Sequence, residues 1–411
     1  MFGKNIAAIV YYKIKTTDSV IPLMMEFKKK QPTARLWFLF PDPPTLELIK
    51  KNQNLWAAIQ FIGAKTISVR QENRVLTLLS LLRLFYIFSF SRTVFIKFGQ
   101  LPLHNILIAL LRKLGRILEI KCFLPPHPKR QLIAKHRLTV YKRKIRGQPL
   151  VVDIFSKEFG DYDYFASTIT ADMFREIYEL DPPEKKLLNI GYVRALPEWK
   201  KYLENLIASS RYNGKEPYVL YLVSALTKFS VGIEEPTQAD SFEESLKVLR
   251  KFQWRFKTVF KPNAETREED IRRVCAKTNF ENWEISYEHP MVLAANAKFV
   301  VSYYFSNAML DVFYLGKPIL EYRWRDPKVV EMLGGSSSGQ EYCDFFSYRD
   351  PEKFENDIQT VLSGDYTINR GEELMQEGFK ETPPNFFKMI HQFLEEKNDG
   401  VAKSRDLEIC L

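Results

Sequence analysis

Short apolar runs alternate with longer amphipathic stretches along most of the chain, the pattern of parallel strands joined by covering helices. Residues 6–12, 35–40, 66–69, 93–98, 117–123 and 150–155 predict strands, and 20–30, 74–90 and 104–115 predict helices between them. Residues 164–167 and 187–190 add two strands before Pro197-Glu198-Trp199 opens a helix that runs to Ile207. The polar, glycine-containing segment 209–216 (SSRYNGKE) reads as a linker. After it the alternation restarts: strand 218–223, helix 241–252, strand 257–260, helix 266–276, strand 283–286, helix 291–297. The next unit is the most informative: an apolar strand over 298–304, a helix opened by Ser306 and Asn307, a stop at Gly316 and Pro318, and a strand over 318–322. GGSSSG at 334–339 has the composition of a loop, and 351–362 and 384–396 read as closing helices.

This doubling predicts an α/β chain of two doubly wound, Rossmann-like domains facing a cleft, with C-terminal helices closing back. The divisions are 1–208, a linker at 209–216, 217–383, and a closing helix and tail at 384–411. Ligands are expected beyond the carboxyl ends of the strands.

Charge separates the two halves. Residues 1–150 hold 27 Lys and Arg against 6 Asp and Glu, a formal +21, and the remainder carries −11. Twelve of the cations fall within 112–146, opposed only by Glu119. Such a field attracts anionic lipid headgroups or polyanionic glycans, a solvated basic face being the alternative. No helix-turn-helix, zinc-finger or RNA-binding signature accompanies it, so nucleic acid is not the expected partner.

Residues 75–91 (VLTLLSLLRLFYIFSFS) raise a membrane question. They are too few to span, and Arg83 at the centre costs about 2.5–3.5 kcal/mol on insertion scales. A buried domain helix and an interfacial helix lying beside the basic stretch are the two readings left. Cys122, Cys275, Cys343 and Cys410 have no CxxC spacing, which suits a reducing cytoplasm and indicates neither zinc nor a disulfide framework. The first residues lack a signal-peptide pattern, and Cys410 is too close to the end for a prenylation box.

Candidate chemistry concentrates in the second half. Ser224 and Lys228 lie in the loop after strand 218–223, where they can touch a phosphate or an acceptor. Lys261-Pro262-Asn263 ends another strand with a cation, a rigid residue and an amide, a suitable place to neutralise a departing phosphate. Glu288 and His289 precede a helix, offering contacts to a ribose or base edge or, alternatively, a cap. Ser302 lies late in the 298–304 strand. Ser306 and Asn307 open the helix whose free N–H groups and dipole favour a phosphate, and Asp311 sits one turn on.

Taken in order, Lys261-Pro262, the Ser306-Asn307 helix start and Gly316-Lys317-Pro318 resemble the donor-binding half of GT-B glycosyltransferases. The likeness is nearest to the bacterial group of sialyltransferases, Kdo transferases and CDP-glycerol glycerophosphotransferases, and covers about residues 185–365. Asn263-Ala264 stand where that group has His-Pro. The resemblance implies a nucleotide-sugar co-substrate bound by the second domain and a glycan or lipid-linked acceptor bound by the first. It also implies no metal cofactor. Asp161-Tyr162-Asp163 has Asp-x-Asp spacing but leads directly into a strand.

Inverting transfer needs a base to deprotonate the acceptor. Glu158, after strand 150–155, His127 in Pro125-Pro126-His127-Pro128, and Asp42 at the end of strand 35–40 are the candidates, with loop polarity the alternative for each. The expectation is a cytoplasmic enzyme peripheral to the inner face of a bacterial membrane, acting in surface polysaccharide or lipopolysaccharide synthesis. A non-hydrolysing sugar-nucleotide epimerase and a non-catalytic lipid- or glycan-binding scaffold share the same architecture.

Overall fold

A computed structural model describes residues 3–10, 14–97, 102–112, 117–123, 163–167, 171–178, 187–214, 216–224, 226, 238–263, 266–303, 307–323, 342–368, 370 and 384–395, with isolated positions 136, 140 and 144. The expected strand at 150–155 lies outside these residues.

The first domain is a seven-stranded parallel sheet in the order β3-β2-β1-β4-β5-β6-β7. Its strands are β1 (Gly3–Ile9), β2 (Arg35–Phe40), β3 (Lys65–Ser68), β4 (Ser91–Lys97), β5 (Ile117–Phe123), β6 (Tyr164–Ser167) and β7 (Leu187–Asn189). Helices α1 (Ile14–Lys30), α2 (Pro43–Lys51), α3 (Gln53–Phe61), α4 (Arg74–Ser89), α5 (Pro102–Arg112) and α6 (Ala171–Tyr178) connect them, and α7 (Pro197–Ser209) follows β7. The central strands carry buried apolar runs, Ile6–Ile9 in β1, Leu36–Phe40 in β2 and Val94–Ile96 in β4, because both faces are covered there. On one face Phe27, Phe38, Phe40 and Trp199 anchor the core, and on the other Trp37, Phe88 and Phe95 pack edge to face.

The second domain repeats the plan with six parallel strands, β10-β9-β8-β11-β12-β13. These are β8 (Tyr218–Val223), β9 (Lys257–Pro262), β10 (Trp283–Ile285), β11 (Val300–Ser302), β12 (Ile319–Arg323) and β13 (Phe345–Tyr348). Its helices are α8 (Gln238–Arg250), α9 (Glu268–Thr278), α10 (Pro290–Asn296), α11 (Asn307–Tyr314) and α12 (Pro351–Ser363). Both sheets therefore share one winding: the chain starts in the middle, lays down three strands one way, then crosses back. Each has a switch point, β1/β4 in the first and β8/β11 in the second.

Two helices join the domains, and a third contact fixes the helix that leads from the first to the second. Helix α13 (Pro384–Glu395) returns to the first domain, burying Phe386, Phe387 and Ile390 in its core, while Arg92 donates to the Phe393 carbonyl at 2.6 Å. Helix α7 has no side-chain cap of its own; Glu26 of α1 accepts from the Glu198 N–H at 3.0 Å and places a carboxylate at that helix start. Helix α10 straddles the boundary, with Met291 and Val292 in the first-domain core and Leu293 and Ala294 in the second.

One local difference from the sequence expectation bears on the site, and so does one agreement. Helix α1 begins at Ile14, not near Val20, so Pro22 lies in its interior. Proline suits a first turn, and here its missing N–H leaves the Asp18 carbonyl without the helical bond it would otherwise accept. Helix α11 stops where expected: Gly316 takes φ +70° with open space around it, the left-handed conformation that ends helices.

Candidate active site between the two sheets

The second-domain switch point is built from the loops after β8 and β11. Ser224 follows β8, its carbonyl accepting from the Tyr303 hydroxyl at 2.5 Å and from Thr266 Oγ1 at 3.0 Å. Ser302 is buried at the end of β11, and Asn307 opens α11 a few residues later. Beside them β9 ends in Lys261 and Pro262, with the Asn263 N–H donating to the Val223 carbonyl at 2.9 Å. Asn263 Oδ1 accepts from Thr266 Oγ1 at 2.7 Å. Burial lowers the Lys261 ammonium to about 8, an effect that Asp18 opposes only in part. An ammonium under that strain gains from any anion brought to it.

Asp18 brings the first domain into the site. Its carboxylate accepts from His289 Nε2 at 3.0 Å and pairs with Arg194. Arg194 also donates to Asp311 at 2.6 Å, and the Tyr192 hydroxyl donates to the same carboxylate at 3.1 Å. The result is a clasp of α1, the turn after β7, the start of α10, and α11. Gly191 (φ +62°) lets that turn reverse and bring Tyr192 and Arg194 inward. Trp199 closes the clasp, its ring edge-on to His289 at 5.4 Å.

The clasp is electrostatically one unit. Burial alone would raise the Asp18 carboxyl, but Arg194, then His289 and Lys261, outweigh it and hold it at about 2. Burial disfavours the Arg194 charge, yet the two carboxylates raise it above its ordinary value. Burial raises Asp311, whose share of the guanidinium compensates only in part. Asp18, His289 and Asp311 bring potential ligand atoms within 4.8 Å of one another. Arg194 stands among them, however, and a guanidinium already meets the demand of that donor set for positive charge.

The expected site residues thus separate. Ser224, Lys261, Asn263, Ser302 and the Asn307 helix start gather around the switch point. His289 and Asp311 belong to the clasp beside it, and both His289 nitrogens are engaged, Nδ1 accepting from the Met291 N–H at 3.2 Å. Glu288 faces the linker, where Ser210 donates to it at 3.0 Å. Asp42 caps α2, accepting from the Thr45 N–H at 2.9 Å and the Thr45 hydroxyl at 2.6 Å. His127, Glu158, Lys228 and Ser306 lie outside the described residues.

The clasp members Asp18 and Arg194 carry no motif that singles them out in the sequence. The same holds at the first-domain switch point, where Lys97 ends β4 and pairs with buried Glu119 at 3.2 Å. Glu119 in turn donates its N–H to Asp163 at 2.9 Å, so the second aspartate of the Asp-x-Asp spacing braces a strand edge.

No protein-family model matches the chain, and no curated protein matches it in sequence. Solved structures do. The wall teichoic acid polymerase TagF aligns over 97% of this chain and 90% of its own, with a TM-score of 0.57 at 12% identity. A UDP-N-acetylglucosamine 2-epimerase aligns over 96% and 95%, with a TM-score of 0.52 at 12% identity. A glycosyltransferase from Rickettsia africae aligns over 96% and 100%, with a TM-score of 0.51 at 10% identity. The chain has the GT-B fold. In doubly wound sheets of this kind ligands bind beyond the carboxyl ends of the strands, at the switch points.

Proposed function

We propose that this GT-B chain is a glycosyltransferase that moves a sugar from a nucleotide-sugar donor to a glycan or lipid-linked acceptor in bacterial surface polysaccharide or lipopolysaccharide synthesis. The observation that supports it most is Lys261: an ammonium lowered to about 8, at a strand end beside the β8/β11 switch point. A diphosphate leaving group there would restore the charge balance of Lys261 while meeting the helix opened at Asn307. The resemblance of Lys261-Pro262 and Gly316-Lys317-Pro318 to the bacterial donor-binding motifs points the same way.

In this reading Lys261, the Ser306-Asn307 helix start and Ser224 hold the donor diphosphate, and no metal is required. Transfer proceeds with inversion: the acceptor hydroxyl loses its proton to a first-domain base as its oxygen bonds the anomeric carbon, and the bond to the diphosphate breaks. Glu158, His127 and Asp42 are the base candidates. Asp18 is a weak base, being held at about 2, and acts instead as a positioning group for His289 and Arg194. The enzyme works in the cytoplasm at the inner membrane face, the basic 112–146 region meeting anionic lipid.

A thermal-shift screen with CMP, CDP, UDP, GDP and dTDP tests the donor site; stabilisation by none of them would refute it. The fold similarity to an epimerase supports a second reading, in which a nucleotide sugar is released epimerised with no acceptor present. Product analysis with and without a glycan acceptor separates the two.

A further inference from the structure

Helix α4 is apolar on every side, yet only one side is packed. Leu84 and Phe88 enter the core against Trp37 and Phe95, while the opposite face is left in water. Val75 (68% exposed), Leu79, Leu82 and Tyr86 (70% exposed) follow one another at helical spacing, and Phe90 continues the line. Leu78 flanks this stripe, and the neighbouring helix α5 adds exposed Ile106 and Leu110. A surface of this extent is a contact face that lacks its partner.

The charges around it say which partner. Between residues 73 and 118 there is no Asp or Glu, but there are seven Lys and Arg, of which Arg74 and Arg83 lie on α4 itself. An apolar stripe whose own helix carries cations and no carboxylate, Glu72 lying just before it, complements an anionic lipid leaflet, whose acyl region takes the leucines and whose headgroups take the arginines. Among the described residues no helix is long and apolar enough to cross a membrane. Embedding parallel to the surface remains the geometry available to α4.

Position supports the same conclusion. In a parallel sheet each helix starts at the carboxyl edge of the strand before it, so the first turns of α4 and α5 lie at the cleft side of the first domain. We propose that the exposed faces of α4 and α5 embed in an anionic leaflet and hold the acceptor wall of the cleft against the membrane. This deepens the reading of a lipid-linked acceptor given above. It is a different element from the 112–146 stretch: the basic region attracts, and α4 inserts.

The test is flotation of the full chain with phosphatidylcholine vesicles with and without phosphatidylglycerol, comparing wild type with Leu78→Ser/Leu82→Ser. Both leucines are exposed, so the thermal midpoint of the variant should match wild type. Expected is partitioning onto the anionic vesicles that the double variant weakens at least tenfold. The indole fluorescence added by Leu82→Trp should also shift to the blue when that variant meets those vesicles. Unweakened partitioning, or an added emission indifferent to vesicles, overturns the proposal. So does a wild-type dimer in sedimentation velocity that the double variant converts to monomer while vesicle binding stays intact, for then a second copy covers the face. Nucleotide binding measured on the same samples keeps the two ideas apart, since the residues proposed to hold the diphosphate lie in the second domain, away from α4.

Discussion

His289 at the start of α10 and Asp18 on α1, 271 residues apart in sequence, meet across the domain boundary at 3.0 Å. The hydrogen bond fixes the imidazole tautomer: Nδ1 accepts from the Met291 N–H, so Nε2 carries the proton given to Asp18. With Arg194 shared between Asp18 and Asp311, the domains are coupled through a buried ionic unit as well as an apolar seam.

Removing one charge from that unit should be expensive. Asp18→Asn keeps the shape but leaves Arg194 with a single carboxylate and His289 with a weaker acceptor. A loss of about 3 kcal/mol is expected, as for a broken buried pair. Urea denaturation checks it; a loss within experimental error would mean that the clasp is fully hydrated in solution.

The same carboxylate should write a signature into acid stability. Its folded value of about 2 lies below the ordinary range, so its contribution is fully present above about pH 4 and is lost as the pH falls towards 2. A shift of this size corresponds to about 2 kcal/mol. Stability measured across that window should fall less steeply in Asp18→Asn than in wild type. Parallel curves would show that Asp18 does not titrate this way.

The sheets are readable because strands buried on both faces carry continuous apolar runs, and 36–40 and 218–223 are such runs. The switch-point residues followed, since any residue just past a central strand is carried to the cleft by topology. Asp18 was not readable. It sits in a polar Lys-Thr-Thr-Asp-Ser segment ahead of Pro22, where local preference starts the helix too late, and its partners come from two distant segments. Contacts that depend on how two domains dock leave no period in either. Strand β13 is silent in the sequence for a simpler reason: four residues at a sheet edge, mostly half-buried, carry no alternation long enough to register.

Arg370 supplies a second point of fragility. Its guanidinium takes Asp344 in a fork, at 3.1 and 2.7 Å, donates to the Lys317 carbonyl at 2.5 Å and to that of Phe313, and lies over the Phe313 ring at 4.3 Å. It thereby ties the Gly316-Lys317-Pro318 turn and the carbonyl end of α11 to the strand β13 region. Lysine cannot reproduce the fork, so Arg370→Lys should cost about 2 kcal/mol despite the retained charge. Thermal unfolding of the two proteins decides it; an unchanged midpoint would mean the turn is held by its backbone alone.

Lys261 offers the sharpest test of the donor site. In the free protein its ammonium loses its proton near pH 8, while a bound diphosphate would stabilise the charged form. Binding then requires the proton, so nucleotide affinity should be level below about pH 8 and fall above it, by up to about tenfold per pH unit. Lys261→Met removes the cation without removing the apolar stem. It should bind the preferred nucleoside diphosphate at least about tenfold more weakly, the loss of one charge-assisted contact, and show no such slope. Calorimetric titrations of both proteins at about pH 7 and pH 9 provide the comparison. If wild type and variant weaken equally with pH, the titrating group lies elsewhere and Lys261 does not hold the phosphate.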